Sequence, residues 1–239
     1  SRLPKPGRVG LGYFADSKGR IVTEMSLIPQ SDDVIWLITA AIAQWHDRDW
    51  LASHAPDDIS IHDRTDEYEC LLVTGPKARE TLSPLTDADL TKSWLSFQTA
   101  KLLDFDVILI RVSFAGELGW EVHCGVDDAS AIYKAILEAD AKPFGMYALN
   151  SLRIEKGYRA WGSDIGPDHT PMEAGMGWAV KLKSNIPFKG REAAQSQKEN
   201  GVKKMLACFT VDPDIVLMGR ETIYRNGERV GWLTGGGYG

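Results

Sequence analysis

Residues 10–27, GLGYFADSKGRIVTEMSL, decide the fold of this 239-residue chain. The first six fit the G-x-G-x-x-A pattern that opens many dinucleotide-binding folds. In those folds a strand precedes the glycines and a helix begins on them, so that the helix N-terminus meets the phosphates. Here only a few residues precede Gly10, and two of them are prolines. The turn-forming residues 16–19 and the alternating, β-branched residues 20–27 predict a β-hairpin instead of a phosphate loop.

The composition is that of an ordinary globular protein. Charged residues make up 25% of the chain and hydrophobic residues 44%. The net charge of -6 argues against a nucleic-acid partner, and no segment approaches the roughly 20 apolar residues that span a bilayer, so we expect no membrane partner. Because Cys70, Cys124 and Cys208 form no C-x-x-C pair, we expect them to be reduced and mostly packed. This favours the cytoplasm, or the mitochondrial matrix in a eukaryote.

Hydrophobic periodicity predicts mixed strands and helices between the first hairpin and residue 156. The strand at 34–38 is expected to be buried. The β-α-β-β-α order between about 57 and 142 favours an α+β sandwich of ferredoxin-like type. The predicted strands are 34–38, 70–74, 107–114 and 120–124, and the predicted helices are 41–55, 77–82, 127–142 and 145–156.

The pattern changes past about residue 201. Residues 204–211 alternate like a strand, and residues 222–230 predict a hairpin that turns at Asn226-Gly227. Two isolated strands are marginal as a domain, so we expect the chain to end inside one.

Several segments resemble, in the same order, the folate-binding aminomethyltransferase family. That family includes the glycine cleavage T-protein and the C-terminal half of dimethylglycine and sarcosine dehydrogenases; GELGWE, RAWG and Glu24 most resemble the dimethylglycine dehydrogenase branch. The segments are GRIVTEMSL (19–27), SFAGELGWEVH (113–123), ALNSLRIEKGYRAWG (148–162), TPMEAGMGWAVKL (170–182), FKGREA (188–193) and VGWLTGGGYG (230–239).

The resemblance implies an α+β, T-protein-like fold. It implies a folate-binding domain over 1–200, incomplete at its N-terminus, with the ferredoxin-like lobe at about 57–142, and the beginning of a C-terminal β-barrel over 201–239. It also implies that tetrahydrofolate accepts a one-carbon unit to give 5,10-methylenetetrahydrofolate. The expected partners are the folate, a one-carbon donor and a flavin oxidoreductase domain in cis or in trans. FAD is expected only in a preceding domain outside this chain.

Glu121 stands where the family places the carboxylate that holds the pterin. The pterin presents N3-H and its 2-amino group as a paired donor edge, which one carboxylate can accept with both oxygens. The backbone of Val122 and His123 is expected to complete this polar frame. The alternative for Glu121 is a surface glutamate on a strand.

Glu24 stands where the T-protein carries its catalytic aspartate, and the resemblance makes it a binding residue and the candidate catalytic residue. A carboxylate there can orient the amine and stabilise cationic charge. Met25 and Ser26 are expected to line the same pocket, with only one of their side chains facing it. Phe114 and Trp178, which replace tyrosines of the relatives, are candidates for apolar walls or for ordinary core residues.

Arg153, Glu155 and Arg159 belong to the family pattern and have two interpretations. They contact the ligand, or they form an ion-pair network that pins the helix to the following loop. No metal site is predicted, because the spacing of the remaining histidines does not suit metal ligation. These histidines are His46, His54, His62 and His169.

Two other functions within the superfamily stay open on the sequence. One is a stand-alone folate-dependent O- or S-demethylase, and the other is a non-catalytic folate-binding regulatory module. The members that maintain iron–sulfur clusters carry a cysteine where this chain has FKGRE (188–192), and this difference counts against that role.

Overall fold

The computed structural model describes residues 3–238, and in this part of the chain there are nine strands and five α-helices. The strands form three separate sheets, ordered β1-β2-β3, β4-β7-β6-β5 and β8-β9. The strands are β1 (Gly10–Ala15), β2 (Ile21–Pro29), β3 (Ile35–Ile38), β4 (Tyr68–Thr74), β5 (Phe97–Leu102), β6 (Phe105–Ile110), β7 (Gly119–Gly125), β8 (Thr222–Arg225) and β9 (Glu228–Trp232). The helices are α1 (Gln44–Ala52), α2 (Ala78–Leu82), α3 (Ala129–Glu138), α4 (Met146–Glu155) and α5 (Arg191–Asn200).

The predicted hairpin forms, and GLGYFA is its first strand. The carboxylate of Asp16 accepts hydrogen bonds from the backbone N–H groups of Lys18, at 2.8 Å, and Arg20, at 2.9 Å. Gly19 adopts a positive φ of 75°, which a residue with a side chain rarely takes. The glycine-rich pattern therefore serves a tight turn between two strands.

The prediction that residues 34–38 form a buried strand is wrong in its burial. Strand β3 pairs only with β2 and lies at the edge of its sheet. Ile35 and Leu37 are 40% and 38% exposed, while the alternate residues Trp36 and Ile38 are partly buried. An edge strand has one solvated face, so its apolar run does not signal complete burial.

The second sheet is antiparallel and carries α2 and α3 on one face. Trp120, Val122 and Cys124 of β7 form the core with Leu82 of α2 and Ile132 of α3. The α+β class is confirmed. The order between β4 and α3 is β-α-β-β-β-α, because β5, which the sequence analysis missed, adds a strand.

The opposite face of the second sheet packs on the first sheet. Ile108 and Ile110 of β6 are buried against Ile28 of β2, with Trp36 and Ile38 of β3 packed around them. Trp36 also meets the ring of Tyr68 on β4 edge to face, with the centroids 5.0 Å apart. The two sheets are therefore stacked, as in a sandwich.

The C-terminal part is less regular than predicted. The hairpin at Asn226-Gly227 is confirmed, with both residues at positive φ. No strand forms over 204–211 in the described residues, where the N–H of Leu206 instead bonds to the carbonyl of Glu173 at 2.8 Å. The division at about residue 200 into two domains stays a prediction. No helix among residues 3–238 is long and apolar enough to cross a membrane.

The expectation of packed cysteines is correct for one residue of three. Cys124 is buried in the core of the second sheet. Cys70, on the edge strand β4, and Cys208 are exposed. None of the three is in a disulfide.

Candidate functional site

Glu24 lies on β2 and lines a small cleft beside the end of β3. The cleft has a volume of about 120 Å³ and brings together three of the residues that the sequence analysis assigned to one pocket. Its lining residues are Leu11, Glu24, Met25, Ser26, Ile38, Thr39 and Ala40.

The alternation of β2 decides which side chains accompany Glu24. Ser26 lies two residues on and therefore shares its face, whereas Met25 lies on the opposite face with Thr23. Met25 is only 1% exposed. Ser26 is thus the neighbour that offers a polar side chain on the side of Glu24, and Met25 serves mainly to anchor the strand.

Tyr13 is the cross-strand partner of Glu24. Its hydroxyl is buried close to the Glu24 carboxyl, without a well-formed hydrogen bond to any described residue. Burial raises the pKa of the Tyr13 hydroxyl, and the charge of Glu24 raises it further. Burial also raises the pKa of the Glu24 carboxyl. The pair therefore combines a protonated hydroxyl with a carboxyl that binds a proton more readily than in water.

Asp47 of α1 holds the walls of the cleft in place from behind. It is 1% exposed, and its carboxylate accepts hydrogen bonds from the hydroxyl of Thr23, at 2.9 Å, and from that of Thr39. Its second oxygen lies 2.9 Å from Nδ1 of His46. Thr39 follows β3 and lines the cleft, so Asp47 links α1 to β2 and to the segment after β3.

Glu121 and His123 project from β7 on the face turned to the first sheet. Their partners on β6 are Ile110 and Ile108, which belong to the contact between the two sheets. Oε2 of Glu121 lies 3.2 Å from Nε2 of His123, and Sγ of Cys70 lies 3.8 Å from the same nitrogen. Although Cys70 as a whole residue is exposed, its sulfur is crowded by neighbouring atoms, and this desolvation together with the charge of Glu121 raises the pKa of the thiol to about 12.

The two predicted carboxylates therefore project from two facing sheets. Glu24 shares its strand face with Ser26 and Ile28, and Ile28 packs on the face of the second sheet that carries Glu121. Glu121 itself does not line the cleft of Glu24. Glu121 keeps 27% of its side chain exposed, so its oxygens remain accessible.

The assignment of the Val122 backbone to the polar frame of the pterin stays a prediction. The Val122 side chain is fully buried in the core of the second sheet, on the face away from Glu121. Its backbone pairs within the sheet, because β7 lies between β4 and β6. His123 lies inside the same paired strand, and its imidazole is the part of the residue that meets the Glu121 carboxylate.

Phe114 and Trp178 are both surface aromatic residues, not core. Phe114 is 37% exposed and stacks on Tyr158, with the ring centroids 6.3 Å apart. Trp178 is 67% exposed and lies in a short 3-10 turn that contacts β1. Their exposed rings are free to contact a ligand, and their assignment to its apolar walls stays a prediction.

The structure favours the ion-pair interpretation for Arg153. This residue is 4% exposed and bonds to the carboxylate of Asp164, while its other guanidinium nitrogens bond to Asn150. Arg159 donates to the carbonyls of Ala174, at 3.1 Å, and Gly157, at 2.7 Å. Glu155 is exposed and takes no part in these bonds. The arginines hold the segment after α4 in place.

Four residues near the site were missed by sequence reasoning: Tyr13, Thr39, Asp47 and Cys70. The apolar residues around Asp47 give no signal for it, because Ile42 and Trp45 are exposed while Asp47 is buried. All four residues depend on contacts between distant segments, which sequence spacing does not reveal.

A larger groove lies apart from the Glu24 cleft. Its volume is about 600 Å³, and it runs along the free edge of β4 between α3 and the start of α4. Most of its lining is apolar, and Cys70 is the one member that also contacts His123. None of the predicted folate-binding residues lines it among residues 3–238.

Several named proteins are similar in sequence to this chain. Human dimethylglycine dehydrogenase is 37% identical over 251 residues, which covers 99% of this chain but only 28% of that protein. The aminomethyltransferase of Bacillus subtilis (strain 168) is 33% identical over 238 residues, which covers 97% of this chain and 66% of the relative. The chain thus spans less than a third of the dehydrogenase and about two thirds of the aminomethyltransferase.

A solved structure shares the fold. The glycine cleavage system aminomethyltransferase T from Bartonella henselae superposes with a TM-score of 0.85, covering 99% of this chain and 66% of that chain, at 23% sequence identity. The protein is therefore an α+β protein with the architecture of a glycine cleavage T-protein. The sequence profile of the GCVT N-terminal domain matches residues 2–184, and the chain belongs to this family. The family resemblance drawn from the motifs is thereby confirmed.

Proposed function

We propose that this chain is the tetrahydrofolate-binding part of an enzyme that transfers a one-carbon unit derived from N-demethylation of a dimethylglycine-type or sarcosine-type amine. The observation that carries the proposal is the placement of Glu24 and Glu121 on two facing sheets. Membership of the GCVT N-terminal domain family supports it, as do relatives named aminomethyltransferase and dimethylglycine dehydrogenase.

The donor set suits tetrahydrofolate. Glu121 has an accessible carboxylate, whose two oxygens match the paired N–H donors of the pterin edge. Tyr13 offers a buried hydroxyl beside Glu24 that no other described residue satisfies, so a polar ligand atom can do so. Phe114 and Trp178 offer exposed aromatic faces for the flat rings.

When bound, tetrahydrofolate supplies the N5 amine that accepts the one-carbon unit and carries it as 5,10-methylenetetrahydrofolate. Glu24 is the candidate for proton handling, because burial raises the pKa of its carboxyl and makes it a better proton acceptor. In its ionised form, the same carboxylate stabilises positive charge that develops in front of it. Asp47 keeps the strand of Glu24 and the segment of Thr39 together and thus positions the cleft.

The source of the one-carbon unit lies outside the described cleft. We infer that a flavin oxidoreductase domain with FAD, in cis or in trans, oxidises the amine and delivers the carbon. The length of human dimethylglycine dehydrogenase, of which this chain matches 28%, supports this inference. That relative is named as mitochondrial, which favours the same compartment when the source is eukaryotic.

The proposal is tested by titrating tetrahydrofolate into the protein and following the fluorescence of its eight tryptophans. We expect a saturable change, and we expect Glu121→Gln to weaken the affinity by about tenfold or more, since a charged hydrogen bond contributes about 1.5–3 kcal/mol. Glu117→Gln, in the exposed loop just before β7, is the matched control and should bind as the wild type does. The absence of any saturable change in the wild-type protein would refute the proposal.

A further inference from the structure

The side chains of Cys70, Glu121 and His123 form a compact cluster of three different metal-ligating groups. Their ligand atoms all lie within 4.8 Å of one another. The imidazole Nε2 is in the centre, 3.2 Å from the carboxylate oxygen and 3.8 Å from the sulfur. No other group of three such residues is found in the described part of the chain.

These distances suit a tetrahedral zinc ion. Zinc lies about 2.3 Å from a thiolate sulfur, about 2.0–2.1 Å from an imidazole nitrogen and about 2.0–2.2 Å from a carboxylate oxygen. With tetrahedral angles, the nitrogen–oxygen edge of such a site is roughly 3.3 Å and the nitrogen–sulfur edge roughly 3.6 Å. The two observed separations differ from these edges by only a few tenths of an ångström.

The backbone holds the three groups in this arrangement. Cys70 and His123 are directly paired residues on β4 and β7, and Glu121 lies two residues before His123 on the same face. Ligands on paired strands of one sheet keep their spacing without any loop having to close around the ion. A preformed site of this kind requires little reorganisation to bind a metal.

The cluster is also open to solvent on one side. Strand β4 is at the edge of its sheet, and Cys70 is exposed and lines the groove of about 600 Å³ along that edge. His123 is 8% exposed and closes the inner side. An ion can reach the cluster past the exposed Cys70 at this edge of the sheet, and a water molecule can occupy the fourth coordination position.

We propose that Cys70, Glu121 and His123 form a Zn²⁺ site, and that bound zinc prevents tetrahydrofolate from binding to Glu121. Zinc forms bonds to the sulfur, to one carboxylate oxygen and to the imidazole, and the Cys70 thiol releases its proton to solvent. A Glu121 oxygen that is bonded to zinc no longer accepts a hydrogen bond from the pterin edge. The metal site itself rests only on the geometry of the cluster, whereas the competition rests on the proposed function of Glu121.

The metal site is tested by equilibrium dialysis of the protein against Zn²⁺ at micromolar concentration, after treatment with EDTA. We expect one zinc per chain, and Cys70→Val and His123→Leu should weaken binding by at least about tenfold, because even indirect partners of a metal ligand contribute that much. Cys208→Ser and His62→Leu, which change an exposed cysteine and an exposed histidine elsewhere, are the matched controls and should bind one zinc.

Cobalt gives a second, spectroscopic readout that does not depend on affinity alone. The wild-type protein with Co²⁺ should show thiolate-to-cobalt charge-transfer absorption, and Cys70→Val should lack it while keeping its thermal melting transition. Failure of the wild-type chain to bind zinc, or loss of zinc in the Cys208→Ser control with retention in Cys70→Val, would overturn the site.

The competition is tested separately, by titrating tetrahydrofolate into wild-type protein and Cys70→Val with and without Zn²⁺. Zinc should raise the apparent Kd of the wild type several-fold and leave that of Cys70→Val unchanged. The comparison with Cys70→Val also controls for zinc that is bound by free folate. An unchanged wild-type Kd in saturating zinc would overturn the competition. If folate fails to bind even the zinc-free protein, the proposed function fails, while the zinc site stands or falls on the dialysis.

Discussion

Glu24 is the residue whose environment differs most from that of an ordinary surface glutamate. It faces Tyr13 across the hairpin, in a cleft where burial raises the pKa of its carboxyl. Such a shift reflects a cost of ionisation in the folded state. Groups with shifts of this kind concentrate at functional sites, because a carboxyl that is easily protonated can take part in proton transfer.

Replacing Glu24 with glutamine should make the protein more stable at neutral pH. The folded pKa lies above the unfolded one, so the unfolded state ionises first as the pH rises and the wild type loses stability through this range. Below about pH 4 the carboxyl is protonated in both states, and the charge-related difference should vanish. Melting temperatures of the two proteins between about pH 3.5 and pH 8 test this. A gap that does not change with pH would contradict it.

Replacing Asp47 with alanine should destabilise the protein by roughly 2–4 kcal/mol, since one buried and one partly buried hydroxyl lose a charged acceptor. The affected hydroxyls are those of Thr23 and Thr39. Urea unfolding gives the free energy. Asp49→Ala, at an exposed position of the same helix, should change it by no more than about 0.5 kcal/mol. Equal losses in the two variants would show that Asp47 does not hold the cleft.

At the scale of elements, the turn of the first hairpin is fixed by its contact with the start of α5. Gly190 caps that helix with φ at 84°. A Cβ atom at this position would lie 2.5 Å from the carbonyl oxygen of Asp16 and 2.9 Å from Cα of Gly19. The hairpin that carries Glu24 is thus held to a helix far along the chain.

Gly190→Ala should therefore destabilise the protein more than alanine at an uncrowded positive-φ glycine does. A better matched control than Gly201, whose ψ of -179° is accessible almost only to glycine, is Gly157→Ala at the end of α4. Gly157 and Gly190 both have positive φ, which costs about 1–2 kcal/mol for alanine, but nothing lies within 4 Å of a Cβ at Gly157. The clash with the turn should add roughly 1–3 kcal/mol at Gly190. Thermal or urea unfolding measures the difference. Equal destabilisation would mean that the turn and α5 are not in firm contact.

Strands and helices with a strong hydrophobic periodicity were predictable from the sequence. Other elements were missed, and the reasons can be identified. Strand β5 was missed because Gln98, Thr99 and Lys101 interrupt its apolar residues. Its turn into β6 uses Leu103 at a positive φ of 53° rather than a glycine or asparagine. Neither composition nor turn residues signal such a strand.

The pairing of Tyr13 with Glu24 could not be predicted by counting residues outward from the turn. Ala15 pairs with Ile21 but Phe14 pairs with Thr23, so a bulge shifts the register by one residue. Without the bulge, Tyr13 would face a different residue of β2. The sequence motifs identified Glu24 and Glu121 as candidate site residues. The side chains that lie beside them are determined by cross-strand pairing, which the motifs do not reveal.

At the scale of the whole molecule, the stacking of two sheets brings the candidate site together. The contact between Ile28 of the first sheet and Ile108 and Ile110 of the second turns the face of Glu24 toward the face of Glu121. Glu24 and Glu121 are far apart in sequence, and this packing connects the sheets that carry them. The central claim is that one folate molecule is held by a carboxylate from each sheet.

Tetrahydrofolate affinity measured side by side for the wild type, Glu24→Gln, Glu121→Gln and the double variant tests this claim most directly. We predict that each single change weakens binding by about tenfold or more and that the double variant binds more weakly than either, with the melting transitions retained. Wild-type affinity in either single variant would contradict the claim, because the folate would then be held without one of the two sheets.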